Sequence, residues 1–174
     1  LLLIRQDEKL FQPALSPITL ENLWQSVTRQ ATLLTHAHQV QLECLHPQQA
    51  NWQARIFHTD LDKLLMTVRI IVDNALRYDP YHQPITLTLL VEPQQFHLQL
   101  QDHGIGIDQE DLAQIFQRYF RSENGKRYRP DGLGIGLTLA YNIVQQQRGT
   151  IAFQSQLAQG TTVTLTFELE EEES

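Results

Sequence analysis

The sequence predicts an α+β protein: a two-layer α/β sandwich in which a mixed, mostly antiparallel sheet packs against three helices. Three observations predict it. Residues 85–101 and 150–169 hold strand pairs with period-two alternation. Three longer segments carry apolar residues at helical spacing. The order is helix, two strands, helix, two strands, a long loop, helix, two strands, which helices laid on one face of a sheet satisfy.

Each element has a local reason. Residues 1–10 read as the end of a helix, and Pro13 and Pro17 make 11–18 an extended connector. Thr19 is a good N-cap, and Leu20, Leu23, Trp24, Val27, Ala31 and Leu34 predict a helix over 20–36. Val40–Leu45 and Trp52–Phe57 alternate as strands, with a turn over Pro47–Asn51. Thr59 is expected to cap a second helix, whose stripe runs from Leu61 through Leu64, Val68, Ile71 and Val72 to Leu76 and stops near Tyr78, before Pro80. Ile85, Leu87, Leu89 and Val91, then Phe96, Leu98 and Leu100, make a hairpin with one buried face. Residues 102–135 carry glycine, charge and aromatics with little periodicity beyond a short helix near 108–117, and a loop that long is usually functional or disordered. A third helix is expected from 135 to Arg148, stopped by Gly149, before strands at 150–156 and 161–169.

Composition excludes several classes. The 174 residues carry 13 Lys and Arg against 20 Asp and Glu, a formal charge of −7. Five of those acids fall among the last seven residues, so residues 1–167 carry 13 against 15, a charge of −2. The acidity reads as a solvated tail. A near-neutral body argues against a nucleic-acid surface, which needs clustered positive charge. No apolar stretch approaches the ~20 residues of a membrane helix, and Leu1-Leu2-Leu3-Ile4 is followed at once by charge, with no signal-peptide pattern. Cys44 is the single cysteine and alternates with apolar neighbours, so a buried reduced thiol is expected, in keeping with a reducing cytosol. No Cys/His cluster has zinc spacing.

Four segments carry chemistry. In Asp73-Asn74-Ala75-Leu76-Arg77-Tyr78, Asn74 shares a helix face with Thr67, Ile70 and Arg77. Its amide oxygen suits Mg²⁺, a hard cation, and Arg77 suits phosphate. In Asp102-His103-Gly104-Ile105-Gly106-Ile107, the inward alternation Phe96, Leu98, Leu100 continues to Asp102. A carboxylate there needs a donor, such as the exocyclic amine of adenine. Asp131-Gly132-Leu133-Gly134-Ile135-Gly136-Leu137 opens a helix with glycines at alternate positions, the general form of a phosphate site. It has no Gly-Lys-Ser/Thr and follows no strand, so it is neither a P-loop nor a dinucleotide fingerprint. Ile115-Phe116-Gln117-Arg118-Tyr119-Phe120-Arg121 and Lys126-Arg127-Tyr128-Arg129 mix aromatics with cations, as a hinged flap over phosphates would.

In that order and spacing, residues 10–169 resemble the catalytic, ATP-binding domain of bacterial sensor histidine kinases, a Bergerat-type fold in the superfamily of gyrase, the ninety-kilodalton heat-shock chaperone and mismatch-repair ATPases. The four segments look like the N, G1, G2 and F boxes, and Gly160-Thr161 like the small motif opening the last strand. The resemblance implies ATP and Mg²⁺ as ligands, with transfer of the γ-phosphoryl group to a histidine on a separate dimerisation domain and then to a response regulator. It implies that residues 1–17 end a dimerisation helix and its linker, that 18–169 form the catalytic domain and that 170–174 are an acidic disordered tail. A cytoplasmic setting without direct membrane contact or nucleic acid goes with it.

The implied roles fall residue by residue. Asp102 would accept from the adenine amine with help from the Thr161 hydroxyl. Asn74 would hold Mg²⁺, with Arg77 and Tyr78 on phosphate and ribose or base. Gly104, Gly106 and Ile107 would border the base, and residues 107–133 would form the lid. Arg118, Tyr119, Phe120 and Arg121 would come from the F box. Gly132, Leu133, Gly134, Ile135, Gly136 and Leu137 would border the nucleotide, with the amides near Gly134 and Gly136 cradling the phosphates. The seven histidines read as surface or packing residues. One position departs from the family: Ile70 stands one helical turn before Asn74, where a polar residue is usual. An isoleucine can neither ligate Mg²⁺ nor activate water, which disfavours a gyrase-like hydrolase. It also motivates a second reading, a nucleotide-binding interaction module with weak or no transfer.

Overall fold

Period-two alternation in four consecutive strands builds one apolar sheet face, and three amphipathic helices cover it. The computed structural model describes residues 12–48 and 50–170. In chain order these form β1 (Ser16–Thr19), α1 (Leu20–Ala37), β2 (Leu42–Leu45), a 3₁₀ turn (Trp52–Ala54), β3 (Ile56–Thr59), α2 (Leu61–Arg77), β4 (Ile85–Val91) and β5 (Gln95–Gln101). Two short helices follow, α3 (Gln109–Leu112) and α4 (Glu123–Tyr128), then α5 (Gly136–Gln146), β6 (Thr150–Gln156) and β7 (Gly160–Glu168). The main sheet has the order β2-β4-β5-β7-β6, antiparallel except for the β2–β4 pair.

Register aligns the apolar residues in rows across the sheet. Leu89 faces Leu98, which faces Leu165, which faces Ile151; Leu87, Leu100, Val163 and Phe153 form the next row. Phe96 stacks on Phe167 with ring centroids 5.6 Å apart, and Phe57 meets Phe96 edge-on at 4.7 Å. Leu20, Leu23 and Val27 of α1, Leu64 and Val72 of α2, and Val144 of α5 are completely buried in the same core. Burying such side chains contributes roughly 1.5–3 kcal/mol each before entropy is counted. The predicted class, the three long helices and both alternating hairpins agree with this architecture.

The first half of the chain differs from expectation in detail. Residues 52–54 form a 3₁₀ turn, and the following strand begins at Ile56 and pairs antiparallel with β1 in a separate two-stranded sheet. β2 instead lies parallel to β4, with Leu42 opposite Ile85. Parallel neighbours need a long crossover, which the 3₁₀ turn, β3 and α2 supply. Cys44 is exposed, not buried. It sits on an edge strand, where burial fades from Val40 to half-buried Leu42 to Cys44. The short helix expected over 108–117 spans only Gln109–Leu112.

The cap of α2 is Asp60, whose side chain accepts from the Lys63 amide at 3.2 Å. Thr59, the residue expected there, is buried, and its hydroxyl donates to Gln147 Oε1 at 2.6 Å. The Asp60 amide donates to the same oxygen at 2.8 Å. Asp60 also receives the Ala14 amide on Oδ2 at 3.0 Å, while Lys63 Nζ donates to the Gln12 carbonyl at 2.9 Å. One corner thus fastens residues 12–14, the start of α2 and the end of α5. Glu170, expected in the tail, donates its amide to the Ile56 carbonyl at 3.0 Å and pairs with His58 at 2.8 Å. The proposed helix at 1–10 and residues 171–174 lie outside the described residues.

Gln147→Ala removes the acceptor shared by Thr59 and Asp60 and leaves a buried hydroxyl and a half-buried amide without it. The variant is expected to lose about 2–3 kcal/mol, read from its urea midpoint. Cys44→Ser, at the exposed edge, should stay within about 0.5 kcal/mol of the parent.

Candidate functional site

The C-terminal half of α2, the end of β5, the start of β7 and the N-terminus of α5 surround one cleft of about 490 Å³. That lies within the ~300–1,000 Å³ of small-molecule sites. Fifteen of the eighteen expected site residues line it, and the exceptions are Gly104, Arg118 and Tyr119. Gly104 sits behind the wall, where a Cβ would come within 2.5 Å of the Tyr78 carbonyl oxygen. Arg118 lies over the exposed Tyr119 ring, 5.7 Å from its centroid.

Asp102 is fixed by the backbone. Its Oδ1 accepts the Gly104 amide at 2.9 Å and the Thr161 amide at 3.1 Å, and its own amide donates to the Thr161 carbonyl at 2.9 Å. These bonds join the ends of β5 and β7. They require Gly160, with φ +105°, because a Cβ there would collide with the Asp102 carbonyl. Gly106, with φ +70°, passes as closely to the Gln156 carbonyl. Oδ2 of Asp102 has no hydrogen-bond partner among the described residues, and the side chain lines the cleft. Burial pushes the Asp102 carboxyl above its ordinary pKa; the Gly104 and Thr161 amides offset part of that, and the nearby Asp79 charge adds to it.

The opposite wall is α2. Asn74 lines the cleft, and its side-chain amide has no partner among the described residues. Asp73 lines it as well, in a loose pair with Arg69 at 3.8 Å. Two oxygen-bearing side chains with spare lone pairs suit a hard cation. Ile70 is the apolar neighbour expected from the sequence, and a Cβ on Gly136 would lie 3.2 Å from its Cγ2. Helix α5 therefore starts directly against Ile70, with no side-chain hydrogen bond capping its first turn. Its leading amides keep their hydrogens for a ligand or water.

The loop from 108 to 135 closes the third side. Phe116 packs against Tyr141 at 4.8 Å and Phe153 at 5.4 Å, and its carbonyl accepts the Thr138 hydroxyl at 3.0 Å. The Tyr119 amide donates to the Gly134 carbonyl at 2.8 Å. Arg121, expected among the phosphate contacts, spends its guanidinium on loop carbonyls: Pro130 at 3.1 Å, Gly125 at 3.2 Å and Arg129. Lys126 pairs with Glu123 at 2.7 Å, and Arg129 Nε donates to the Arg77 carbonyl at 3.2 Å. The cationic segment is braced, in part, by its own charges.

Sequence reasoning missed three residues that shape this site. Asp79, 5% exposed, accepts the Tyr81 amide at 2.8 Å and the Gln83 amide at 2.5 Å, and shapes the turn behind Gly104. Its position before Pro80 signals a turn as well as a helix stop. Ser155 bridges the G1-like loop and β7, yet nothing marks it among the polar residues of its strand. Ile105 donates its amide to the Tyr78 carbonyl at 2.9 Å, a contact no pattern announces.

Comparison with known proteins agrees with this geometry. Over 115 residues the chain is 33% identical to the signal transduction histidine-protein kinase ArlS of Staphylococcus epidermidis, covering 66% of this chain and 25% of that protein. Against ArlS of Staphylococcus aureus strain USA300 it is 35% identical over 98 residues, 56% of this chain and 22% of the relative. The chain thus spans about a quarter of the length of these relatives. Two solved structures share the fold. The mycobacterial sensor histidine kinase MprB has a TM-score of 0.71 at 18% identity, covering 90% of this chain and 98% of that one. ShkA, solved full-length in complex with AMPPNP, has a TM-score of 0.72 at 16% identity, covering 94% of this chain and 33% of that one. Residues 59–171 match the family described as histidine kinase-, DNA gyrase B-, and HSP90-like ATPase, and the chain belongs to that family.

Proposed function

We propose that this chain binds ATP with Mg²⁺ and presents the γ-phosphoryl group to a histidine on a separate dimerisation domain, from which it passes to a response regulator. The observation that carries the reading is Asp102: a half-buried carboxylate that lines the cleft, with one oxygen held by two backbone amides and the other without a hydrogen-bond partner among the described residues. Such a group calls for a ligand donor, and the amine of adenine is one. The relatives named as histidine kinases, and the AMPPNP complex of a protein with this fold, support the same reading.

The remaining residues take roles from their places on the wall. Tyr78, Gly106 and Ile107 border the base end. Asn74, helped by Asp73, would hold Mg²⁺. When bound, the ion would neutralise charge on the phosphates. Arg77 and the amides of α5's first turn, from Gly136 onward, would meet phosphate oxygens, as the positive end of a helix does. Leu133 and Ile135 would limit water at the transferring end. Catalysis of this kind is mostly positioning and charge stabilisation. Gly104 and Arg121 serve as braces here, and Arg118 and Tyr119 face away from the ligand, open to a partner domain.

The test is the full-length protein with radiolabelled ATP, read as acid-labile, base-stable phosphate. Tight ADP binding with no such label would remove the transfer step and leave a nucleotide-binding interaction module.

Asp102→Asn separates stability from binding. The raised carboxyl pKa means the folded chain holds this proton more tightly than the unfolded chain. Stability from this group is present below the ordinary pKa of 3.8 and lost as pH rises through the raised value. At neutral pH the variant should therefore unfold at higher urea than the parent, and the gain should vanish toward acid pH. Its affinity for a fluorescent ADP analogue should fall by about 1.5–3 kcal/mol. Ile70→Asn tests the departure: it should strengthen the Mg²⁺ dependence of nucleotide binding or speed transfer, measured by metal titration and phosphate label.

A further inference from the structure

Ser155 of β6 belongs to none of the nucleotide motifs, yet its hydroxyl is the hub of the corner beside Asp102. Its Oγ lies 2.8 Å from the Ile107 amide nitrogen, 2.9 Å from the Gly160 carbonyl oxygen and 2.8 Å from Thr161 Oγ1. A serine hydroxyl has one proton and two lone pairs. An amide can only donate and a carbonyl can only accept. Ser155 therefore accepts from Ile107 and gives its proton to Gly160. The contact with Thr161 is then satisfied only if Thr161 donates to the second lone pair of Ser155. This is the one arrangement that meets all three contacts.

The consequence falls on the cleft. With its proton committed to Ser155, the Thr161 hydroxyl has only lone pairs left. Thr161 and Asp102 both line the cleft, and Oδ2 of Asp102 has no hydrogen-bond partner among the described residues. The corner thus offers acceptors and no side-chain donor from this pair. We infer that Ser155 is a positioning residue for base selection: by fixing the Thr161 proton it makes this corner accept hydrogen bonds only, so that it admits a 6-amino purine and rejects a 6-keto purine. A keto oxygen there would face lone pairs, which leaves a desolvated acceptor unpaired. Without the Ser155 hydroxyl, Thr161 is free to rotate and donate to that oxygen. The inference rests on the nucleotide reading proposed above.

The experiment measures the dissociation constants of ADP and IDP for the 174-residue chain by calorimetry; IDP carries oxygen where ADP carries the amine. The parent should prefer ADP. Ser155→Ala should lower the ADP:IDP preference about tenfold, the effect of one hydrogen bond gained by the wrong base. Ser155→Cys, which keeps the volume with a weak donor, should move the ratio the same way and carries the test should the alanine variant unfold. Ser155→Thr should retain the parent ratio. In a Thr161→Val background, Ser155→Ala should leave the ratio unchanged, because the proton it directs is gone. Equal weakening of ADP and IDP by Ser155→Ala, at a constant ratio, would make Ser155 a structural brace and overturn the inference. A parent chain that binds neither nucleotide would instead overturn the function proposed above, and this inference with it.

Discussion

A half-buried carboxylate at the end of a strand is the constraint around which this site is organised. A charge partly removed from water is costly without hydrogen bonds, and the chain brings two backbone amides, from Gly104 and Thr161, to one oxygen of Asp102. Those amides come from different segments, and meeting at one atom locks the end of β5 to the start of β7. The packing that follows is tight enough to dictate sequence. Gly104 must pass the Tyr78 carbonyl, and Gly160 must pass Asp102's own backbone with a positive φ. The glycine spacing is therefore first a consequence of holding the carboxylate. Oδ2 has no hydrogen-bond partner among the described residues, and the side chain lines the cleft. On the proposed function, the burial that raises the Asp102 pKa and the call for a ligand donor have one source.

Charge obeys a similar economy in the loop. The body of the chain averages −2, which hides five cations between Arg118 and Arg129. The structure divides them by task. Arg121 donates to three backbone carbonyls and gives the loop its shape, Arg129 ties it to the end of α2, and Lys126 is neutralised by Glu123. A guanidinium with a planar fork of donors can satisfy several carbonyls at once, a role that a lysine fills poorly. The positive character of the flap is thus partly structural, and a count of basic residues overstates the number available to phosphates.

How much of this was legible depended on the range of the interactions. The strands over 85–101 and 161–168 were readable because alternation is local and one face is buried throughout. The stretch between α1 and α2 was not. Trp52, Ala54 and Ile56 alternate on paper, but the 3₁₀ turn ends at Ala54 and β3 takes its partner from residues 16–19, some forty positions upstream. Thr59 and Asp60 are both competent caps. The choice between them was made by Gln147, 88 residues from Thr59, which draws the threonine hydroxyl away. Cys44 continues the pattern of Val40 and Leu42, and only the edge position of β2 exposes it. In the site, Asp102, Asn74 and the glycines were visible as departures from periodicity. Ser155 was not, since a serine between two glutamines in a strand looks like any solvated position, and its meaning lies in which three atoms surround it.

Ile70 is where local reading and the assembled site most inform each other. From the sequence alone it is a missing polar group. In the structure it is a wall against which α5 begins, with Gly136 packed closely against it. Leu133 and Ile135 line the same cleft, beside the polar side chains of Asp131 and Arg121. An apolar wall strengthens the remaining charges by lowering the local dielectric. It also offers no side chain to orient or deprotonate a water. For an enzyme that must hand a phosphoryl group to another side chain, water is the competing acceptor. A wall that cannot position water costs a ligand for the metal and gains protection of the transferred group. On the proposed function, then, Ile70 shifts the balance away from hydrolysis, and the metal is left to Asn74, Asp73 and the phosphates themselves.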